Sequence, residues 1–135
     1  INLEFGVGLK EEKREYYTFN HPAVNTFSKE IVKRNERFDF NLEKSHLVQI
    51  YPLASILDKH LPTNQLINFI NIDVEGFDFE VLKSNDWNKY RPQLVLVEIE
   101  NLNLNLLMKN NIVVFMKSIG YEVFAKTVNT VFFLN

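Results

Sequence analysis

A chain of 135 residues, 46% apolar and 13% aromatic, carries enough hydrophobic surface for one domain with a real core. Its net charge of −2 and pI near 5.9 provide no basic footprint for nucleic acid or an anionic membrane surface, so the expected partner is a small molecule. The absence of cysteine excludes disulfides, thiolate metal sites and a thiol nucleophile.

Ile1 to Val7 alternates loosely between apolar and polar residues and predicts a strand. The charged turn Lys10 to Arg14 and a second strand near Glu15 to Phe19 then suggest a hairpin. Gly6-Val7-Gly8 imitates a nucleotide-cradling loop, but no third glycine follows and Lys10 to Glu15 is all charge; a bulge or turn beside a strand is the better reading. His21 to Ser28 is a polar loop, and Lys29 to Arg37 is a basic, solvated face with helical character. Leu47 to Ile50 predicts a brief strand. Pro52 opens a helix whose Leu53, Ile56, Leu57 and Leu61 face a core before Pro62 ends it.

The stretch from Leu66 to Glu100 carries most of the suggestive chemistry. Leu66 to Ile72 and Leu94 to Val97 read as inner strands of a parallel sheet. Phe77 to Ser84 reads as a short crossover helix with Asp78 and Glu80 in its first turn. Asn85 and Asp86 stop it, Trp87 is an apolar anchor with Arg91 beside it, and Pro92 extends the chain into the second strand. Further on, Leu104, Leu107, Met108, Ile112, Phe115, Met116 and Ile119 trace the core stripe of one amphipathic helix ended by Gly120. Tyr121 to Thr127 and Val131 to Leu134 flank Val128-Asn129-Thr130, where Asn tolerates a left-handed turn, and predict a closing antiparallel hairpin.

The first strand of the central unit ends in Asp73-Val74-Glu75-Gly76 and the second in Glu98-Ile99-Glu100, so both deliver carboxylates at their carboxyl ends, where open α/β sheets hold ligands. Asp73 reads either as a site acid or as a helix-capping aspartate ahead of Phe77; Gly76 allows a sharp turn or close backbone approach. Strand-end acids could hold a divalent cation, but further ligands are not visible, so no metal is assigned. His21, His46 and His60 share no metal-ligand spacing, and no serine sits in a nucleophile elbow.

Ile72-Asp73-Val74-Glu75-Gly76, Glu80-Val81-Leu82, Asp86-Trp87, Arg91-Pro92 and the acidic strand end, in that order, resemble the signature of FkbM-type S-adenosylmethionine-dependent methyltransferases. Weaker similarity reaches Gly120-Tyr121, the Asn129-Thr130 turn and Asn25-Thr26-Phe27-Ser28. The resemblance implies an α/β, Rossmann-like class I methyltransferase fold, present here as a partial, mostly parallel sheet ending in an antiparallel C-terminal hairpin, in one domain over residues 1–135. It implies methylation of a hydroxyl on a small molecule or saccharide, with S-adenosylmethionine as cofactor. Asp73 and Glu75 are the implied catalytic residues; Asp73, Gly76, Asn25 and Ser28 would contact the cofactor, and Glu98 and Glu100 the acceptor.

The rival reading is a non-catalytic Rossmann-like binding or interaction module. The family's glycine-rich loop and ribose-binding acid are not found between Ile1 and Asn135, so the chain alone is expected to be an inactive fragment of a larger domain. Leu66 to Ile72 should then present an exposed sheet edge open to self-association. No apolar run approaches the ~18 residues of a membrane span and no signal peptide opens the chain, which makes the cytoplasm the expected location.

Overall fold

The computed structural model describes residues 1–99 and 103–135. The chain divides into two units, Ile1–Lys59 with Val74–Asn85, and His60–Asp73 with Asp86–Asn135.

The first unit is built on strands β1 (Gly6–Val7), β2 (Glu12–Phe19) and β3 (Leu42–Tyr51) in the order β1-β3-β2. The expected N-terminal hairpin is not formed: β1 runs parallel to the end of β3, and β2 pairs antiparallel along the other side of β3. The residues between them cross over the end of β3, with the Gly8 amide donating to the Tyr51 carbonyl at 3.1 Å. β3 is also far longer than its apolar end suggests. Its first half is solvent-exposed, so the residues pairing it to β2 show no hydrophobic signal.

Tyr17 and Phe19 of β2 form a small core with Val32 of helix α1 (Lys29–Asn35), against which Val24 and Phe40 pack. α1 begins at Ser28, whose Oγ accepts from the Ile31 amide at 3.3 Å, with Glu30 in its first turn and Lys33 and Arg34 in its last, all favourable to the helix dipole. Helix α2 (Leu53–His60) follows β3. Helix α3 (Asp78–Lys83) ends at Ser84, whose Oγ and carbonyl accept the Leu53 and Ala54 amides at 3.0 and 3.1 Å, so one residue satisfies two orphan donors at the start of α2. Gly6-Val7-Gly8 is no cofactor loop: Gly6 lies in β1, where a side chain would collide with Ile50 Cδ1 and Phe27 Cζ.

The second unit holds β4 (Phe69–Ile72), β5 (Leu94–Glu98), β6 (Glu122–Lys126) and β7 (Thr130–Leu134) in the order β4-β5-β7-β6. β4 and β5 are parallel, whereas β5–β7 and β7–β6 are antiparallel. The fold class is therefore α/β with two mixed sheets, not one mostly parallel sheet. In the second sheet the antiparallel part comes from the C-terminal hairpin, which inserts β7 beside β5, and β4 has a single neighbour there; in the first, β2 runs antiparallel to β3. β5 is inner as expected; β4 is an edge strand, shorter than the apolar run, with Leu66 78% and Phe69 63% exposed.

The buried layer pairs Val95 with Phe133 and Val97 with Val131 across β5 and β7, all without solvent access. Ile112, Val113 and Met116 of helix α5 (Asn111–Ser118) and Leu107 of helix α4 (Leu104–Leu107) are buried as well. The single long helix expected here is two. Asn110 breaks it by taking an extended conformation and accepting the Ile112 amide at 2.9 Å, which starts α5 afresh. α5 stops at Gly120 with a Schellman pair, Gly120 N–H to Lys117 O and Tyr121 N–H to Met116 O. The closing hairpin is present, but Asn129 is not left-handed. Thr127 closes that turn, its Oγ1 accepting the Thr130 amide at 3.1 Å.

Trp87 and Arg91 are scaffold, as read from the sequence. Trp87 is buried with its ring edge-on to Tyr121 and Phe115, 5.4 and 6.4 Å between centroids. Arg91 donates to the carbonyls of Trp87 and Ile119 and covers the Tyr121 ring. Among the described residues, no helix is long and apolar enough to cross a membrane.

Candidate active site at the strand ends

β4 and β5 run parallel in a register that pairs Ile72 with Val97, so the next residue on each strand is an acid: Asp73 and Glu98. Their carboxylate oxygens lie within 4.8 Å of one another, Asp73 exposed and Glu98 half-buried. Apolar strand interiors and polar ends make this arrangement: Ile72 and Val97 are buried, and the chain turns to acid where the sheet stops. Two carboxylates at this spacing can take a cation or the protons of a hydroxyl, though they supply fewer oxygens than the six that a hard divalent cation requires. Glu100 lies outside the described residues.

The other acid of the signature, Glu75, belongs to the first unit and sits in a turn of unusual geometry. Val74 accepts from the Phe77 amide at 3.4 Å, and both residues between them have positive φ, Glu75 at 49° and Gly76 at 94°. This is the pattern of a type I′ turn, which glycine enters freely and glutamate does not. At Gly76 a Cβ would also come within 2.9 Å of Ile31 Cδ1, so a side chain there would have to displace the end of Ile31 as well as adopt a strained φ.

Neighbouring polar groups hold the turn. Asp78, the first residue of α3 and only 6% exposed, accepts the Val74 amide on Oδ1 and the Gly76 amide on Oδ2, each at 3.2 Å. Thr26, 1% exposed, donates its hydroxyl to the Glu75 carbonyl at 3.2 Å. The N-cap of α3 is Phe77, with no capping side-chain hydrogen bond, so the capping role considered for Asp73 is not filled by a side chain; Asp78 serves the turn ahead of the helix instead. Thr26 and Asp78 were not singled out for the site; an aspartate two residues after a glycine is the signal that could have marked Asp78.

Phe77 closes the turn between the Phe27 ring, 6.4 Å away and perpendicular, and the Arg14 guanidinium, 4.8 Å from its centroid. Arg14 is itself held by Glu12 at 2.6 Å and Glu80 at 3.1 Å. Burial would lower the Arg14 pKa, but the hydrogen bonds to Glu12 and Glu80 outweigh it and raise it above the ordinary value. The hydrogen bond from Arg14 holds the Glu12 carboxyl below the usual carboxylate range.

Asn25 and Ser28 lie in the loop between β2 and α1. Asn25 Oδ1 accepts the Phe19 amide at 2.8 Å and Ser28 caps α1, so both side-chain oxygens already serve the backbone. Next to them Phe27 lines an open groove of about 510 Å³ with Phe5, Tyr16 and His46, and none of the expected site residues line it.

One family model, described as the methyltransferase FkbM domain, matches residues 1–123. No curated protein and no solved structure matches the chain.

Proposed function

This chain belongs to the FkbM methyltransferase family, and on that premise we propose that it transfers a methyl group from S-adenosylmethionine to a hydroxyl oxygen of a small molecule or saccharide within a Rossmann-like domain. The observation that carries the proposal is the pair of neighbouring parallel strands that both end in acid, Asp73 and Glu98, with carboxylate oxygens within 4.8 Å.

The cofactor supplies the activated methyl group on a cationic sulfur when bound. The residues fit such a group, because carboxylates favour a nearby positive charge and accept from sugar hydroxyls. In this reading Asp73 and Glu75 orient the acceptor hydroxyl and take its proton as the oxygen attacks, which carboxylates do well when positioned within hydrogen-bond reach. Gly76, exposed in its turn, offers its backbone to the cofactor, and Asn25 and Ser28 line the cofactor from their loop. Glu98 and Glu100 bind the acceptor, as acceptors of its remaining hydroxyl hydrogens.

The test is methyl transfer by the intact protein from radiolabelled S-adenosylmethionine to a panel of monosaccharides, glycosides and phenols. Asp73→Asn and Glu75→Gln should each lower turnover by roughly 10²–10⁴-fold without moving the unfolding midpoint. Wild-type turnover by both variants would remove these acids from the mechanism. Cofactor binding by the intact protein with transfer to no hydroxyl in the panel would favour the non-catalytic module.

A further inference from the structure

We infer that Asp78 is a positioning residue for the reaction: its buried carboxylate clamps the Val74–Phe77 turn so that Glu75 presents its side chain in the geometry that transfer uses. This rests on the reading that Glu75 works in the reaction.

An aspartate at the first position of a helix ordinarily serves that helix, where its charge meets the exposed amides of the first turn. Asp78 instead reaches backwards. Each of its two oxygens takes one amide, Val74 on one side of Glu75 and Gly76 on the other. A two-point acceptor of fixed span sets the separation of those amides and thereby the path of the residue between them. The Glu75 carbonyl is fixed in turn by the Thr26 hydroxyl. Three hydrogen bonds, one to the backbone of each of Val74, Glu75 and Gly76, therefore hold the stretch around Glu75, whose φ of 49° an L side chain seldom adopts. Asp78 and Thr26 are both buried, so water has little access to the side-chain ends of these part-buried bonds. Strained backbone persists where its surroundings over-determine it, and here those surroundings are one polar side chain from just after the turn, Asp78, and one from far back in the chain, Thr26.

Asp78→Asn is the discriminating variant. The amide keeps one acceptor oxygen and turns an NH₂ donor toward the second backbone N–H, so one arm of the clamp is lost while shape is preserved. Turnover of the intact protein should fall roughly 10–100-fold, with KM for S-adenosylmethionine changed less than about twofold. Hydrogen exchange at the Val74 and Gly76 amides should accelerate. The decisive measurement is the double variant. If Asp78 acts through Glu75, then Asp78→Asn should cost nothing further in turnover once Glu75→Gln is in place.

An equal fractional loss in both backgrounds would make Asp78 merely structural and overturn the inference, as would unchanged turnover or unchanged exchange. Wild-type turnover by Glu75→Gln alone would instead sink the role of Glu75, a separate failure. Should Asp78→Asn not fold, Thr26→Val removes at constant volume the bond to the Glu75 carbonyl, together with the one that Thr26 Oγ1 accepts from the Ser28 amide, and the same non-additivity with Glu75→Gln is expected.

Discussion

The two units reach order by different physics. In the second, aliphatic and aromatic side chains do the holding: Val95, Val97, Val131 and Phe133 interlock across two strands, and Trp87 meets Tyr121 edge-on. In the first, much of the order comes from polar bonds to backbone: Thr26 and Asp78 at the signature turn, and Asn25, Ser28 and Ser84 at other loops and helix ends. Packing is tolerant of exact position and strong in sum, whereas a hydrogen bond adds little net stability but dictates direction. The difference teaches that the apolar unit fixes its strands by summed packing, whereas the polar unit specifies a turn of costly shape.

The largest stability effect should fall in the packed unit. Trp87→Ala removes a buried ring and leaves a cavity, with an expected loss of roughly 3–5 kcal/mol in chemical denaturation. A loss of activity at an unchanged midpoint would show that the ring serves a ligand and would break the comparison.

In the polar unit, Gly76→Ala places a methyl group 2.9 Å from Ile31 Cδ1 at a φ of 94°. It should cost roughly 1–3 kcal/mol, less than Trp87→Ala, and an equal or larger cost would mean that the turn anchors the fold as firmly as the aromatic core. Glu75→Gly probes the same turn with the opposite sign. Relief of the left-handed strain outweighs the extra chain entropy of glycine, for a gain of about 0.5–1 kcal/mol, while methyl transfer falls. A less stable variant would show that Glu75 is held by contacts that repay its strain.

The smallest effects are in pH. Burial pushes the Tyr121 phenol above its ordinary value, with Arg91 opposing in part. Above pH ~10 the unfolded chain gives up this proton before the folded one does, so stability should decline as pH rises. Tyr121→Phe should flatten that decline. Tyr17 of the first unit is raised in the same direction by burial and by its bond to Glu15, so the part removed by Tyr121→Phe is the share of the second unit. At the acid end the signs reverse. Ser45 and then Tyr17 hold the Glu15 carboxyl below the usual range, and its contribution is present near neutrality and lost as pH falls through that lowered value. A melting profile that is flat in alkali for wild type would contradict the burial of Tyr121.

Composition and periodicity alone determined much of this protein. The α/β class, the aliphatic strand at Leu94, the helices at Leu53 and Asp78, the closing hairpin and the anchor role of Trp87 all follow from residues whose burial pattern is local and repeats within one element. The acidic strand ends were legible too, because a run of Val and Ile that stops at Asp or Glu marks where a strand leaves the core. Tertiary structure alone decided which strands pair. β3 captures both β1 and β2, although its exposed half carries no apolar signal, and β7 enters beside β5 to make the sheet mixed. It also decided the left-handed turn at Glu75, since nothing in Val-Glu-Gly announces a glutamate at positive φ. That shape exists because Asp78, three residues on, and Thr26, far back in the chain, place a carboxylate and a hydroxyl where the backbone amides and carbonyl of the turn need them. Such side-chain-to-backbone bonds, whether local as from Asp78 or distant as from Thr26, leave no period to read.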